Sequence, residues 1–357
     1  MNVVQVMPTV SFGDAVSNDA RALARVISEM GHKTGIYAEN IDIRVSGDPF
    51  VHKLSRLPSL SDGDVVIFNH STGTELCYKL PKLRGRKMMI YHNITPPGFF
   101  DNFSVTARDL TRYGYEGTRY LSDKIEYVMA DSAFNVSELR RMGYTCRADV
   151  RPILIPFGDY TKAPDAKVLD KYGDGCRNIL FVGRIAPNKK QEDIISAFAY
   201  YKKHVDPRSR LILAGSYSGM ERYFRALKDY ASALMPDGVV FTGHTDFSEL
   251  LAYYKLADVF LCMSEHEGFC VPLVEAMLFG VPIIAYDSCA VSETLGGSGV
   301  LIKDKDPVFV SMLIDRIMKD GELREYIIRE ESKRLRYFDY NRTRETFESQ
   351  LRSFIEG

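Results

Sequence analysis

No part of the 357-residue sequence stays apolar for the roughly 20 residues that a membrane-spanning helix needs. The start, Met1 to Val6, runs straight into a short apolar strand with no basic segment ahead of it, so no secretory signal is expected. Neither sign of charge is in excess: 46 Lys and Arg stand against 47 Asp and Glu, a net −1, which argues against a dedicated nucleic-acid binder. The six cysteines (Cys77, Cys146, Cys176, Cys262, Cys270 and Cys289) form no CxxC pair, which excludes a zinc knuckle and a thioredoxin-like motif. The seven histidines include no HExxH and the acidic residues form no EF-hand loop, so no metal site is expected. With 45% hydrophobic and 26% charged residues the composition is that of a soluble globular protein, expected in the cytoplasm. At about 150 residues per domain the length suggests two domains.

Short apolar runs alternate with helical periodicity along most of the chain. Val3 to Val6 reads as a strand, Ser17-Asn18-Asp19 supplies helix-capping candidates, and Leu23, Val26, Ile27 and Met30 fall on one helix face before Gly31. Further strands are expected at Thr34–Tyr37, Val65–Phe68, Met88–Tyr91 and Tyr127–Met129. Between Arg151 and Arg177 the pattern pauses in a Pro- and Gly-rich stretch that suits an interdomain connection. It resumes with Ile179–Val182, a helix through Ile194, Ile195, Phe198 and Tyr201, then Leu211–Ala214, Val239–Phe241, Val259–Leu261 and Pro282–Tyr286. Strands and helices in alternation argue for parallel sheets covered on both faces, here two α/β units in tandem facing a cleft. A dinucleotide-binding dehydrogenase would want G-x-G-x-x-G after its first strand, where only Gly13 stands.

The loops after the strands are where ligands of such sheets bind. After Val259–Leu261 comes Ser264 to Met277, containing Glu267, Gly268, Phe269, Cys270, Pro272, Leu273, Val274 and Glu275. Pro272 suits a first helical position, so the amides around Pro272 to Val274 are expected to form an anion site with Glu275 in the first turn. After Ile179–Val182, Arg184 and Lys189 offer a forked donor and a mobile point charge suited to a diphosphate.

Glu267-Gly268-Phe269-Cys270 through Glu275, then Gly280-Val281-Pro282, together with Gly183-Arg184-Ile185 and Lys189, resembles the retaining, nucleotide-sugar-dependent glycosyltransferases of family 4 (glycosyl transferases group 1), which have the GT-B fold. Tyr91-His92-Asn93-Ile94-Thr95-Pro96 is similar to that family's histidine loop, while Cys270 stands where the family usually has Gly. The resemblance implies a first Rossmann-like domain over 1–165 on the acceptor side, regaining a last helix at about 338–357, and a nucleotide-sugar-binding domain over 176–337. It implies that Arg184 and Lys189 hold the donor diphosphate and that Glu275 binds the ribose. Glu267 would hold the hydroxyls of the transferred sugar, Gly268 and Phe269 would line the donor site, and the backbone at Leu273, Val274 and Gly13 would cap the phosphate. His92, Arg184, Lys189 and Glu267 would be the catalytic group. It implies metal-independent transfer, no cofactor beyond the nucleotide-sugar co-substrate, and a glycan, lipid-linked or small-molecule acceptor, in a surface polysaccharide or glycoconjugate pathway.

Plainer readings stand beside these. His92 and His70 could serve only as satisfied structural histidines, and Gly13 as a turn glycine. Lys79, Lys82, Arg84, Arg86 and Lys87 make either a solvated loop or a peripheral contact with an anionic membrane. Another GT-B sugar-nucleotide enzyme, an epimerase or phosphorylase, and a non-catalytic sugar-nucleotide-binding subunit are the alternative functions.

Overall fold

Apolar runs become buried parallel strands wherever helices cover both sheet faces. In the computed structural model, which describes residues 1–235 and 237–357, thirteen such strands form two sheets, one in each of two units. The first unit comprises residues 1–97, 108–157 and 338–357. Its strands are β1 (Val3–Val10), β2 (Ile36–Ile41), β3 (Val51–Lys53), β4 (Val65–His70), β5 (Arg86–Tyr91), β6 (Tyr127–Ala130) and β7 (Arg147–Val150). They pair in parallel in the order β3-β2-β1-β4-β5-β6-β7.

The helix Ala15–Glu29 shows how this unit is built. Asp14, not the Ser17-Asn18-Asp19 group expected from sequence, is its cap: its carboxylate accepts from the Ser17 amide at 2.9 Å, worth about 1 kcal/mol. Leu23, Val26 and Ile27 are fully buried, each contributing about 1.5–3 kcal/mol. Asp19 is left inside the helix, where it meets the buried Arg151 through two hydrogen bonds of 3.0 and 2.6 Å. Phe347, Leu351 and Phe354, from the helix Tyr340–Glu356, join the same core cluster.

The second unit comprises residues 98–107 and 158–337. Its strands are β8 (Arg177–Val182), β9 (Ser209–Ala214), β10 (Val239–Gly243), β11 (Val259–Cys262), β12 (Ile283–Tyr286) and β13 (Val300–Ile302), in the order β10-β9-β8-β11-β12-β13. All pair in parallel, the doubly wound arrangement in which the strand order reverses next to the first strand. Residues 98–107 and 158–165, which the resemblance implied for the first domain, group with this unit. For 98–107 the reason is apolar: Phe100 is buried in its core, with Phe99 and Phe103 packed against it. The stretch 151–177 likewise holds structure of its own, the helix Ala166–Tyr172, capped by Asp165 and anchored by the buried Val168 and Tyr172.

Candidate functional site

In the second unit the strand order reverses between β8 and β11, and sheets of this kind take ligands at the carboxyl ends of the strands flanking that point. The loops leaving those two strands are Gly183–Lys190 and Met263–Cys270. They are stitched to each other: the Glu265 amide donates to the Asn188 carbonyl at 2.8 Å, and the Asn188 side chain donates to the His266 carbonyl at 3.1 Å. That stitching brings the Lys189 ammonium to 2.6 Å from both oxygens of Glu267. Burial opposes the charge on Lys189, but Glu267 outweighs it and holds the lysine pKa above its ordinary value. About a fifth of the Lys189 side chain remains exposed, so the pair is reachable from solvent.

Arg184 is exposed, and its guanidinium donates to the Ser218 carbonyl at 2.9 Å, which holds it beside the loop after β9. Gly183 leaves β8 with its amide on the Ala214 carbonyl, so the two loops start side by side. Gly268 is half-buried and Phe269 is buried, its carbonyl taken by the Thr294 hydroxyl.

The helix after this loop differs from the sequence expectation in three respects. It spans Val271–Leu278 with Cys270 as cap, so Pro272 is its second residue, and the Leu273 amide is not free but donates to the Cys270 carbonyl at 3.1 Å. Leu273 and Val274 bury their side chains completely. Glu275 lies beyond the first turn, buried, with each carboxylate oxygen taken by a phenol: Tyr160 at 2.6 Å and Tyr254 at 2.7 Å. Burial raises the Glu275 pKa, and the two tyrosine hydrogen bonds oppose that rise.

Three residues of this site have no counterpart in the sequence reading. Tyr160 and Tyr254 sit in stretches that read as connection and helix face. His266, buried with its pKa lowered to about 4 by desolvation, lies with its ring 6.2 Å from that of Phe99. Although no metal motif is visible in the spacing, Cys262, Glu267 and Cys270 bring two sulfurs and a carboxylate oxygen within 4.8 Å of one another.

The first unit has its own reversal, between β1 and β4. Gly13, after β1, is exposed at φ 72°, and nothing lies within 4 Å of where a side chain would start. His92, at the end of β5, is fully buried as a side chain. Its Nδ1 lies 2.9 Å from the Asp131 carboxylate and its Nε2 3.4 Å from the Asn69 side-chain oxygen Oδ1. Burial works against a charge on His92, yet Asp131 carries its pKa above the ordinary value. His70 is structural: it is buried, bonded to the Thr118 hydroxyl at 2.7 Å and stacked on Phe68, with its pKa pushed down to about 3 by burial. Of the basic cluster, Arg84 is paired with Asp62 and Arg86 with Glu126, while the Lys87 ammonium is turned onto backbone carbonyls of its own loop. Among the described residues, no helix is long and apolar enough to cross a membrane.

Residues 172–334 match the family described as glycosyl transferases group 1. The chain is 26% identical over 258 residues to O-antigen chain mannosyltransferase B of Escherichia coli, and 26% identical over 263 residues to a glycosyltransferase of Methanocaldococcus jannaschii. These matches cover 70% and 71% of this chain and 65% of either relative. Among solved structures, Anabaena HepE in complex with UDP and glucose superposes with a TM-score of 0.79 at 17% identity, covering 99% of this chain and 100% of that one. Sucrose-phosphate synthase from Thermosynechococcus elongatus gives 0.78 at 17% identity, with both chains covered completely. At that identity the likeness is one of fold, the GT-B pair of Rossmann-like domains.

Proposed function

We propose that the chain, whose residues 172–334 match the glycosyl transferases group 1, moves a hexose from a nucleoside-diphosphate sugar to a hydroxyl of a glycan, lipid-linked or small-molecule acceptor, with retention and without a metal. The observation that carries this is the Lys189–Glu267 pair, set where the strand order of the second sheet reverses, with the exposed Arg184 on the same loop as the lysine. Support for a nucleotide-sugar donor comes from the HepE complex, and support for a hexose and a surface-glycan setting from the E. coli mannosyltransferase.

The roles follow from charge and reach. As the bond from sugar to diphosphate breaks, negative charge collects on the leaving phosphate. Arg184 and the Lys189 ammonium would stabilise it with groups already in place before the reaction. Glu267 keeps Lys189 charged and oriented, and its carboxylate accepts from hydroxyls of the transferred sugar. Glu275 would take the ribose hydroxyls, exchanging one phenol for a ligand hydroxyl. His92, with its charge supported by Asp131, would face the sugar and acceptor, and Gly13 would allow close approach of the diphosphate. The pairing of Arg84, Arg86 and Lys87 within the protein leaves fewer free cations for an anionic surface, so the acceptor end is read as working beside a membrane only where lipid-linked acceptor draws it there.

The test is acceptor-dependent release of nucleoside diphosphate from a panel of UDP-, GDP- and ADP-sugars, with Lys189→Ala and Glu267→Gln beside the wild type. Turnover by the wild type and loss of about a hundredfold or more in each variant is the expected result, the scale of one lost electrostatic contact. Release without acceptor, or variants that turn over like the wild type, would sink the transferase reading in favour of another sugar-nucleotide enzyme or a binding subunit.

A further inference from the structure

The loop between β11 and the helix Val271–Leu278 closes on itself, so that its first and last thiols face the same carboxylate. Cys262 ends β11, Cys270 caps the helix, and their sulfurs and a Glu267 oxygen all lie within 4.8 Å of one another, with all three residues buried. Cys270 is there at a backbone cost. Its φ of 75° and ψ of 70° lie in the left-handed region, which strains a residue with a side chain and which glycine enters freely. A thiol is thus carried at a position where the backbone favours having no side chain at all.

Two sulfurs and one carboxylate oxygen form the donor set of a thiophilic d10 cation, unlike the all-oxygen sets that suit magnesium or calcium. The charges also close. Two thiolates, one carboxylate and the Lys189 ammonium sum to −2, so a bound dication leaves a neutral cluster, the condition under which such groups can stay buried. The two thiol protons leave to solvent as the ion enters. One Glu267 oxygen would turn to the cation while the other stays on Lys189.

We propose that Cys262, Glu267 and Cys270 form a binding site for one thiophilic divalent cation of the zinc–cadmium class, and that its occupancy blocks the donor sugar. The blocking half rests on the reading of Glu267 as a donor ligand; the cation site itself does not.

The full chain, kept reduced in thiol-free buffer, is titrated with Cd2+ and followed by thiolate-to-cadmium charge-transfer absorption. One saturable equivalent is expected, lost in Cys270→Gly, which the local backbone accommodates, and in Cys262→Ser, and retained in Cys146→Ser. Absence of that equivalent in the wild type, or its survival in Cys270→Gly, overturns the site. Binding of a nucleotide sugar is then measured with and without one equivalent of Cd2+. A loss of about tenfold or more in the wild type and none in Cys270→Gly is expected, a tenfold change being about 1.4 kcal/mol. A cadmium band with unchanged donor affinity overturns the inhibition and leaves the cation site standing. A metal-free protein that binds no nucleotide sugar at all counts instead against the donor reading.

Discussion

His92 is held between opposing influences. Its side chain is fully buried, which favours the neutral ring, while Asp131 at 2.9 Å favours the charged one and prevails. Removing the carboxylate charge leaves burial and the Arg151 charge opposed only by Asp19, and Asp131→Asn should bring the His92 pKa below its ordinary 6.5, read by NMR titration of the ring. The same shift sets a pH dependence. The pair's contribution to stability is complete below about pH 6.5, the unfolded value, and is lost as pH rises through the higher folded value. Asp131→Asn should reverse that slope in melting temperature, because a folded pKa below the unfolded one makes stability rise with pH; a His92 pKa unchanged by the substitution would show that Asp131 is not its cause. Arg151 keeps its two bonds to Asp19 in this variant, so the core beneath the histidine retains its main tie. At this scale the sequence displays His92, Arg184, Lys189, Glu267 and Glu275, because each follows an apolar run in a recognisable spacing. It conceals the partners that set their chemistry. Asp131 and Asn69 also follow apolar runs and had that signal, whereas Tyr160 and Tyr254 come to Glu275 only through tertiary packing.

Among the elements, the ones legible in the sequence are those buried on both faces. The runs in β4, β5, β8 and β9 are continuously apolar because helices cover both sides of a central parallel strand. The strands that the pattern does not reveal are β3, β7 and β13, each at a sheet edge, short, and in two cases carrying charge, as edge strands do. Close approach of backbones is similarly hidden. Gly215 leaves β9 so near the β8 loop that a Cβ there would sit 2.0 Å from the Gly183 carbonyl oxygen, whereas at Gly280, past the helix Val271–Leu278, the nearest atom would be an Ile328 methyl at 3.6 Å. Two alanine substitutions therefore separate. Gly280→Ala meets only the left-handed backbone at φ 63° and should cost about 1–2 kcal/mol with nucleotide binding kept. Gly215→Ala must push aside the loop that carries Arg184, and should weaken nucleotide-sugar binding by about tenfold or more, equivalent to at least 1.4 kcal/mol. Equal binding by wild type and Gly215→Ala, measured by calorimetric titration, would mean that this loop does not hold the donor.

For the whole molecule, the division of the chain makes a prediction that no single residue makes. Arg184, Lys189, Glu267 and Glu275 all belong to the second unit, while Gly13 and His92 belong to the first. A nucleoside diphosphate without its sugar should therefore stabilise one unit far more than the other. At about 100 times its dissociation constant a ligand adds roughly 2.7 kcal/mol to whatever holds it, and a unit of this size gains about 2–4 °C in melting temperature per kcal/mol. Scanning calorimetry with UDP, GDP and ADP in turn should raise the transition of the second unit for one of the three bases. Amide exchange should slow within residues 98–107 and 158–337, most of all at the loops after β8 and β11. Lys189→Ala should erase both effects. Protection confined to the first unit would move the donor to the other sheet, and with it the roles given to Glu267 and Glu275. Protection spread evenly over both units would mean that the first unit holds the nucleotide as firmly as the second, beyond the close approach of Gly13 to the diphosphate.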